Sequence, residues 1–305
     1  MRGIVTKSTG SNYSVFAGGK IIPCRIKGLF RIKGIDITNP VVVGDEVEID
    51  LQPGNDVAMI TNIIERRNYI IRKSKNLSKQ AHIIASNIDL ALVVATPVFP
   101  KTSTGFIDRF LATAEAYSIP AGIIFNKEDI FDDEIKNYVN KLKILYGKIG
   151  YQCFVVSAMK EETLSELNDA LKNKVTLFSG HSGVGKSTLI NVLIPGLNLK
   201  TSEISEHHLK GIHTTTFAEM HLLPEGGNII DTPGIREFGT VEFNPAEVSH
   251  FFPEMFKLSK DCKFYNCTHT NEIKCAVLKG LEEGIISESR YASYVSILNN
   301  EDIFK

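Results

Sequence analysis

What this chain lacks narrows its reading first. It contains no run of about 18 consecutive apolar residues, so no membrane-spanning helix is expected. Residues Met1 to Gly10 carry no apolar core of the kind a secretory leader needs. Cysteine is scarce, five in 305 residues, which fits a reducing compartment if the thiols are free or metal-bound. A cytoplasmic protein with no membrane partner is the expectation. Excess charge is missing too: the formal net charge is −1, which taken alone argues against a nucleic-acid partner. No internal repeat or low-complexity tract stands out.

What is present points elsewhere. The length suits two or three domains, and 43% hydrophobic with 23% charged residues is the composition of a globular chain. The charge is unevenly spread. Residues 1–80 carry 13 Lys+Arg against 7 Asp+Glu, whereas the rest carry 21 against 28. A basic N-terminal third fits a local polyanion contact or, equally, a solvated basic face.

Five short strands are predicted early: Gly3–Thr6, Tyr13–Ala17, Ile21–Ile26, Asp45–Leu51 and Ala58–Ile64, with turns at Gly10, Gly18-Gly19 and Pro53-Gly54. This suits an all-β OB-fold barrel over 1–66, although an SH3-like barrel would read alike. Lys20, Arg25, Lys27, Arg31 and Lys33 are compatible with an RNA-tracking face. Residues 65–80 read as a polar, basic connector. An alternation of apolar strands and helices follows, predicting an α/β domain with a mostly parallel sheet over 67–240. Residues 241–305 read as a small helical, cysteine-bearing domain that needs a staple.

Gly180-His181-Ser182-Gly183-Val184-Gly185-Lys186-Ser187 matches the phosphate-loop pattern G-x-x-x-x-G-K-[ST] in full. A predicted strand, Val175–Ser179, precedes it, and an apolar helix from Thr188 follows. Glycines let backbone N–H groups point inward around phosphates, and the helix presents its positive end. Lys186 is expected to bridge the β- and γ-phosphates and the Ser187 hydroxyl to hold Mg²⁺.

The base is chosen elsewhere. Asn126-Lys127-Glu128-Asp129 ends the predicted strand Ala121–Phe125. A carboxylate at Asp129 can accept from both N1–H and the exocyclic amine of guanine, an arrangement adenine does not offer. Asn126 can donate to the guanine edge or tie the loop to its neighbours. Lys127 can lie along the base plane. Ser157-Ala158 closes the next strand, where backbone commonly meets guanine O6. The bland alternative makes Asp129 a helix N-cap.

Asp231-Thr232-Pro233-Gly234 offers Asp231 to Mg²⁺ through water and the Gly234 N–H to the γ-phosphate. His213-Thr214-Thr215-Thr216 offers hydroxyls for the other switch, with Thr215 expected on Mg²⁺. In ordinary small GTPases the phosphate loop comes first; here N-K-x-D and S-A precede it. The order is rotated rather than shuffled, so the folded sheet can be the same with new termini. The chain then leaves the GTPase after switch II, which predicts coupling of switch II to the C-terminal domain. Ile235 stands where a water-orienting glutamine usually follows D-x-x-G. Slow intrinsic hydrolysis is therefore expected, with His213 the candidate for positioning water beside catalytic Lys186 and Thr215. Gly183 stands where several potassium-activated GTPases carry Asn.

Cys262-x₄-Cys267-x-His269-x₅-Cys275 supplies three thiolates and an imidazole, a set suited to one closed, structural Zn²⁺ site. Cys24 and Cys153 lie on predicted strands as packing residues.

Together NKED (126–129), GHSGVGKS (180–187), GIHTTT (211–216), DTPGIREF (231–238) and CKFYNCTHTNEIKCAV (262–277) resemble the RsgA (YjeQ/YloQ) family of circularly permuted GTPases, over essentially the whole chain. The resemblance assigns the same four zinc ligands. It implies GTP hydrolysis to GDP stimulated by the 30S ribosomal subunit, contact with 16S rRNA, and a role in late small-subunit maturation. A monomer is expected. Ile212 departs from the family, which usually has Arg before the histidine. Three other readings stay open: a GTP-dependent RNA chaperone or translation factor not specific to 30S, a P-loop ATPase or kinase, and an RNA-binding module with a dead nucleotide site.

Overall fold

The computed structural model describes residues 1–26, 40–73, 81–201, 218–231 and 243–301. Alternating burial over the first strands closes a barrel. Strands β1 (Arg2–Ser8), β2 (Tyr13–Ala17), β3 (Lys20–Ile26), β4 (Glu46–Asp50) and β5 (Ala58–Ile63) follow in order β1-β2-β3-β5-β4, and β4 pairs back onto β1. Val5, Val15, Ile22, Val47, Ile49 and Ile60 fill the interior, at the two-residue period that puts side chains on one face of a strand. This is the expected OB-like barrel. Lys20 and Arg25 are exposed on β3, whereas Lys27, Arg31 and Lys33 lie outside the described residues.

The connector reading of 65–80 is corrected. Tyr69–Lys73 is β6, paired antiparallel with β7 (Ala81–Ser86). Tyr69-Ile70-Ile71 is a β-favouring run, and Ile70 is buried, but flanking basic residues disguised it. Arg66 is not a solvated charge either. Its guanidinium donates to both Asp45 oxygens at 2.6 and 2.7 Å, Ser86 Oγ donates to Asp45 Oδ1 at 2.6 Å, and Asp45 is fully buried. That network seats the barrel on the hairpin.

The remaining elements are β8 (Leu90–Ala95), α1 (Thr104–Ala116), β9 (Ala121–Phe125), α2 (Asp133–Ile149), β10 (Gln152–Val155), α3 (Ser165–Leu171), β11 (Val175–Ser179), α4 (Lys186–Leu193), β12 (Glu219–Leu222), β13 (Asn228–Asp231), α5 (Pro253–Ser259), α6 (Ala276–Glu282) and α7 (Glu288–Leu298). The sheet order is β10-β9-β8-β11-β13-β12, parallel except for β12. Unbroken apolar strands such as Leu90–Ala95 are buried on both faces. Phe106, Phe110, Val139 and Tyr146 cover one face, and Leu167, Leu189 and Ile190 the other. Local signals set the helix ends: the Asp132 side chain accepts from Ile135 N, and Gly150, at φ 119°, terminates α2.

β12 has no counterpart in the strands read from the sequence. It pairs with β13 on one side and with β1 on the other, so barrel and GTPase strands form one continuous sheet. The C-terminal helices pack Val248, Phe252, Met255, Val277, Tyr294 and Ile297 against Ala112 of α1. Arg290 of α7, 1% exposed, donates to Asp108 of α1 at 2.9 Å and to both Glu254 oxygens at 2.7 and 3.1 Å. Tyr146 OH donates to the same Asp108 oxygen at 2.8 Å. Burial opposes the Arg290 charge, but Asp108 and Glu254 outweigh it and hold the guanidinium pKa above its ordinary value. Among the described residues no helix is long and apolar enough to cross a membrane.

Candidate functional site

The loop from Gly180 to Gly185 links β11 to α4 at the carboxyl edge of the sheet, where ligands bind in open α/β folds. Its glycines are demanded by geometry. Gly180 has φ 144°, and a Cβ there would sit 2.3 Å from Val94 O. Gly185 has φ 90°, and a Cβ there would meet Asn126 Nδ2 at 2.5 Å. Lys186 Nζ donates to Gly180 O at 2.7 Å and His181 O at 3.2 Å, inside the curl of the loop. The His181 ring lies on Phe106 of α1, with centroids 3.9 Å apart and planes 31° apart. Ser187 and Thr188 open α4, half-buried.

Asn126 to Asp129 follow β9 and reach into that loop. Asn126 Nδ2 donates to Val184 O at 2.9 Å, so this side chain ties one loop to the other. Lys127, at φ 71°, donates through Nζ to Gly183 O at 2.9 Å and to Phe99 O. Asp129 lies in a 3₁₀ turn, Glu128–Ile130; the helix cap is Asp132, which removes the N-cap alternative. Ser157 Oγ donates to Asp129 Oδ1, orienting an otherwise exposed carboxylate. Ser157 N in turn donates to Thr163 Oγ1 at 2.9 Å. Glu128 pairs with Lys160 at 2.7 Å. Ala158 completes this turn, half-buried. Thr163, Lys160 and Phe106 were not singled out from the sequence, because none sits in a recognisable local pattern.

Asp231 ends β13 beside β11, in register with Phe178. Its Oδ1 is buried with no hydrogen-bond partner among the described residues, a carboxylate oxygen left open to a cation. Burial raises the Asp231 carboxyl, while Lys186 and His221 pull it back down. Burial likewise lowers the Lys186 ammonium, and Asp231 opposes that shift. The two side chains therefore sense each other across the loop. His213, Thr215 and Gly234, with the rest of both switches, lie outside the described residues.

The cysteine cluster assembles as a unit. The ligand atoms of Cys262, Cys267, His269 and Cys275 all lie within 4.8 Å of one another. Cys262 Sγ is 3.9 Å from Cys275 Sγ and 3.7 Å from His269 Nδ1, and His269 Nδ1 is 3.3 Å from Cys275 Sγ. A tetrahedral ion with metal–sulfur bonds of about 2.3 Å and metal–nitrogen bonds of about 2.0 Å sets such edges at about 3.8 and 3.5 Å. The four residues thus fit one closed metal site. Backbone N–H groups of Ala276 and Leu278 point at Cys262 and Cys275 sulfurs, both at 3.4 Å. Tyr291 and Tyr294 fix the loop by donating to His269 O and Thr268 O at 2.8 and 2.6 Å. Glu272, raised by burial but hydrogen-bonded by Thr268 and Thr270, is held down at about 2.

Comparison with known proteins agrees with this geometry. The RsgA GTPase family model matches residues 63–241 and the RsgA N-terminal domain model residues 2–60. A Bacteroides fragilis protein named small ribosomal subunit biogenesis GTPase RsgA is 55% identical over 99% of this chain and 97% of its own. Its namesake in Flavobacterium psychrophilum is 52% identical over 99% and 94%. The crystal structure of YjeQ from Thermotoga maritima superposes with TM-score 0.81 at 31% identity, covering 98% of this chain and 97% of that one. YloQ, described as a circularly permuted GTPase, superposes at 0.77 with 29% identity, covering 98% and 94%. Two family models, full-length relatives and a neighbour described as circularly permuted thus agree with the rotated motif order and the barrel: the chain belongs to the RsgA GTPase family.

Proposed function

We propose that this protein hydrolyses GTP while bound to the 30S ribosomal subunit, late in its maturation, and that the particle completes the catalytic site. The observation that carries the reading is the docking of Asn126 and Lys127 into the backbone of Val184 and Gly183. It makes the guanine-reading loop and the phosphate loop one rigid seat. The relatives named for small-subunit biogenesis align from end to end, which supports the ribosomal partner.

In this reading Asp129, aimed by Ser157, accepts from the guanine N1–H and amine. The N–H groups of 180–188 surround the phosphates, and Lys186 turns from Gly180 O to the β- and γ-oxygens. Bound Mg²⁺ would neutralise charge gathering on the phosphates, and Ser187, Thr215 and Asp231 are the residues to hold it. Water attacks the γ-phosphorus, the bond to the β,γ-bridging oxygen breaks, and GDP and phosphate leave. His213 positions the water once rRNA orders its segment. The division is 1–66 for RNA binding, 67–240 for GTP and 241–305 for a structural Zn²⁺. The protein acts as a cytoplasmic monomer touching 16S rRNA. Switch II passes the nucleotide state to the zinc domain.

The test is GTP hydrolysis by the purified protein, alone and with 30S particles, with ATP and 50S particles as controls. Stimulation by 30S alone is expected. Stimulation by isolated RNA but not by 30S would favour a general RNA chaperone or translation factor. In the 30S assay His213→Ala is expected to abolish stimulation; unchanged turnover would remove His213 from the mechanism.

A further inference from the structure

The row Lys7, Glu219, Asp231 crosses three adjacent strands. Lys7 of β1 stands opposite Glu219 of β12, and Glu219 stands opposite Asp231 of β13. Directly opposed residues of an antiparallel pair share a face, with Cβ atoms about 5 Å apart, and like charges so placed repel. A second carboxylate is thus set beside the one read above as a metal ligand. Lys7 Nζ lies 3.3 Å from both Glu219 oxygens. The Glu219 side chain is 35% exposed, so water screens its charge only in part. His221, two residues along the same strand, is buried, and burial lowers its imidazole. The Lys186 ammonium faces Asp231 from the phosphate loop, as described above.

We infer that Glu219 and Lys7 are positioning residues for metal binding: Glu219 adds negative field at Asp231, and Lys7, supplied by the barrel, trims it. This rests on Asp231 holding Mg²⁺ as proposed above. It goes further by giving the barrel a charge that bears on the nucleotide site through one continuous sheet. The signs are fixed by the geometry. Removing the Lys7 charge leaves Glu219 uncompensated and strengthens cation binding. Removing the Glu219 charge leaves Lys7 uncompensated and weakens it. Removing both restores near-neutrality.

The experiment follows release of a fluorescent GDP analogue from the full-length protein as Mg²⁺ is titrated at low ionic strength. Lys7→Met keeps the apolar stem and Glu219→Gln keeps the shape, so both leave the strands intact. K7M is expected to lower the half-saturating Mg²⁺ about threefold and E219Q to raise it about threefold, the scale of a half-exposed ion pair. K7M/E219Q should return close to the parent value, and high salt should shrink both single shifts. Asp231→Asn separates the two levels of the argument. If D231N leaves the Mg²⁺ dependence unchanged, Asp231 is not a ligand and the underlying reading fails. If D231N shifts it but K7M and E219Q match the parent, or move in the same direction, the inference is overturned.

Discussion

At the scale of single residues, the proposed function rests the choice of base on one carboxylate. Asp129 has one oxygen occupied by Ser157 and lies on the exposed side of a tight turn. Asp129→Asn exchanges an acceptor for a donor. We expect it to lower GTP affinity about 100-fold, given two lost bonds to a charged group. It should also admit xanthosine triphosphate, whose 2-oxo group accepts from the new amide; competition binding reads both effects. Gly185→Ala is expected to be harmful by a different route. It places a Cβ against Asn126 Nδ2 at a left-handed backbone position, so it breaks the tie between the two loops. Nucleotide binding by calorimetry should fall at least about tenfold, with the far-ultraviolet dichroism unchanged. Both loops were legible in the sequence because a phosphate-loop pattern and N-K-x-D are local strings. The sequence places Ser157 at the end of the predicted strand that follows N-K-x-D. Its bond to Asp129 and its own support from Thr163 were not legible, since turn geometry sets those distances.

At the scale of elements, α1 does two jobs. Its start meets the phosphate loop through Phe106 and His181, and its middle is joined to α7 through Asp108 and Arg290. The helix belongs to the strand–helix alternation read from the sequence, but the charges on its buried face gave no hint of their partners. Breaking a buried ion network leaves an uncompensated charge. Arg290→Met should therefore destabilise the protein by about 3–5 kcal/mol, measured by urea unfolding. A Lys substitution should recover only part, because the Arg fork meets both Glu254 oxygens. A loss below about 1 kcal/mol would show that Phe252 and Met255 packing, not the charge network, holds the C-terminal helices on α1.

For the whole molecule, the C-terminal unit is small, with short helices, and its loop from Cys262 to Cys275 carries little apolar mass of its own. A metal fits as the staple. We expect one zinc atom per chain by elemental analysis. Chelation, or Cys267→Ser, should lower the thermal midpoint while leaving guanine nucleotide affinity within about twofold, because the nucleotide loops belong to other strands. Metal-free protein with an unchanged midpoint would refute the staple.

What the sequence determined by itself was everything with a short period or a fixed spacing. That covers the five barrel strands, the strand–helix alternation, the rotated motif order, the cysteine cluster, and through these strings the family. β6 escaped because basic residues flank its apolar run. β12 escaped because its buried pair, Met220 and His221, is adjacent in the chain and half polar, so neither an alternation nor an apolar run marks it. Only the tertiary structure decided which elements meet. Lys7 pairs with Glu219 across 212 residues, and Arg290 bonds Asp108 across 182. A buried charge and an exposed one look identical in a sequence, and burial records that a face is covered without saying by what. Local pattern encodes each strand's inward side; the partner across it is chosen by how all the strands and helices pack at once.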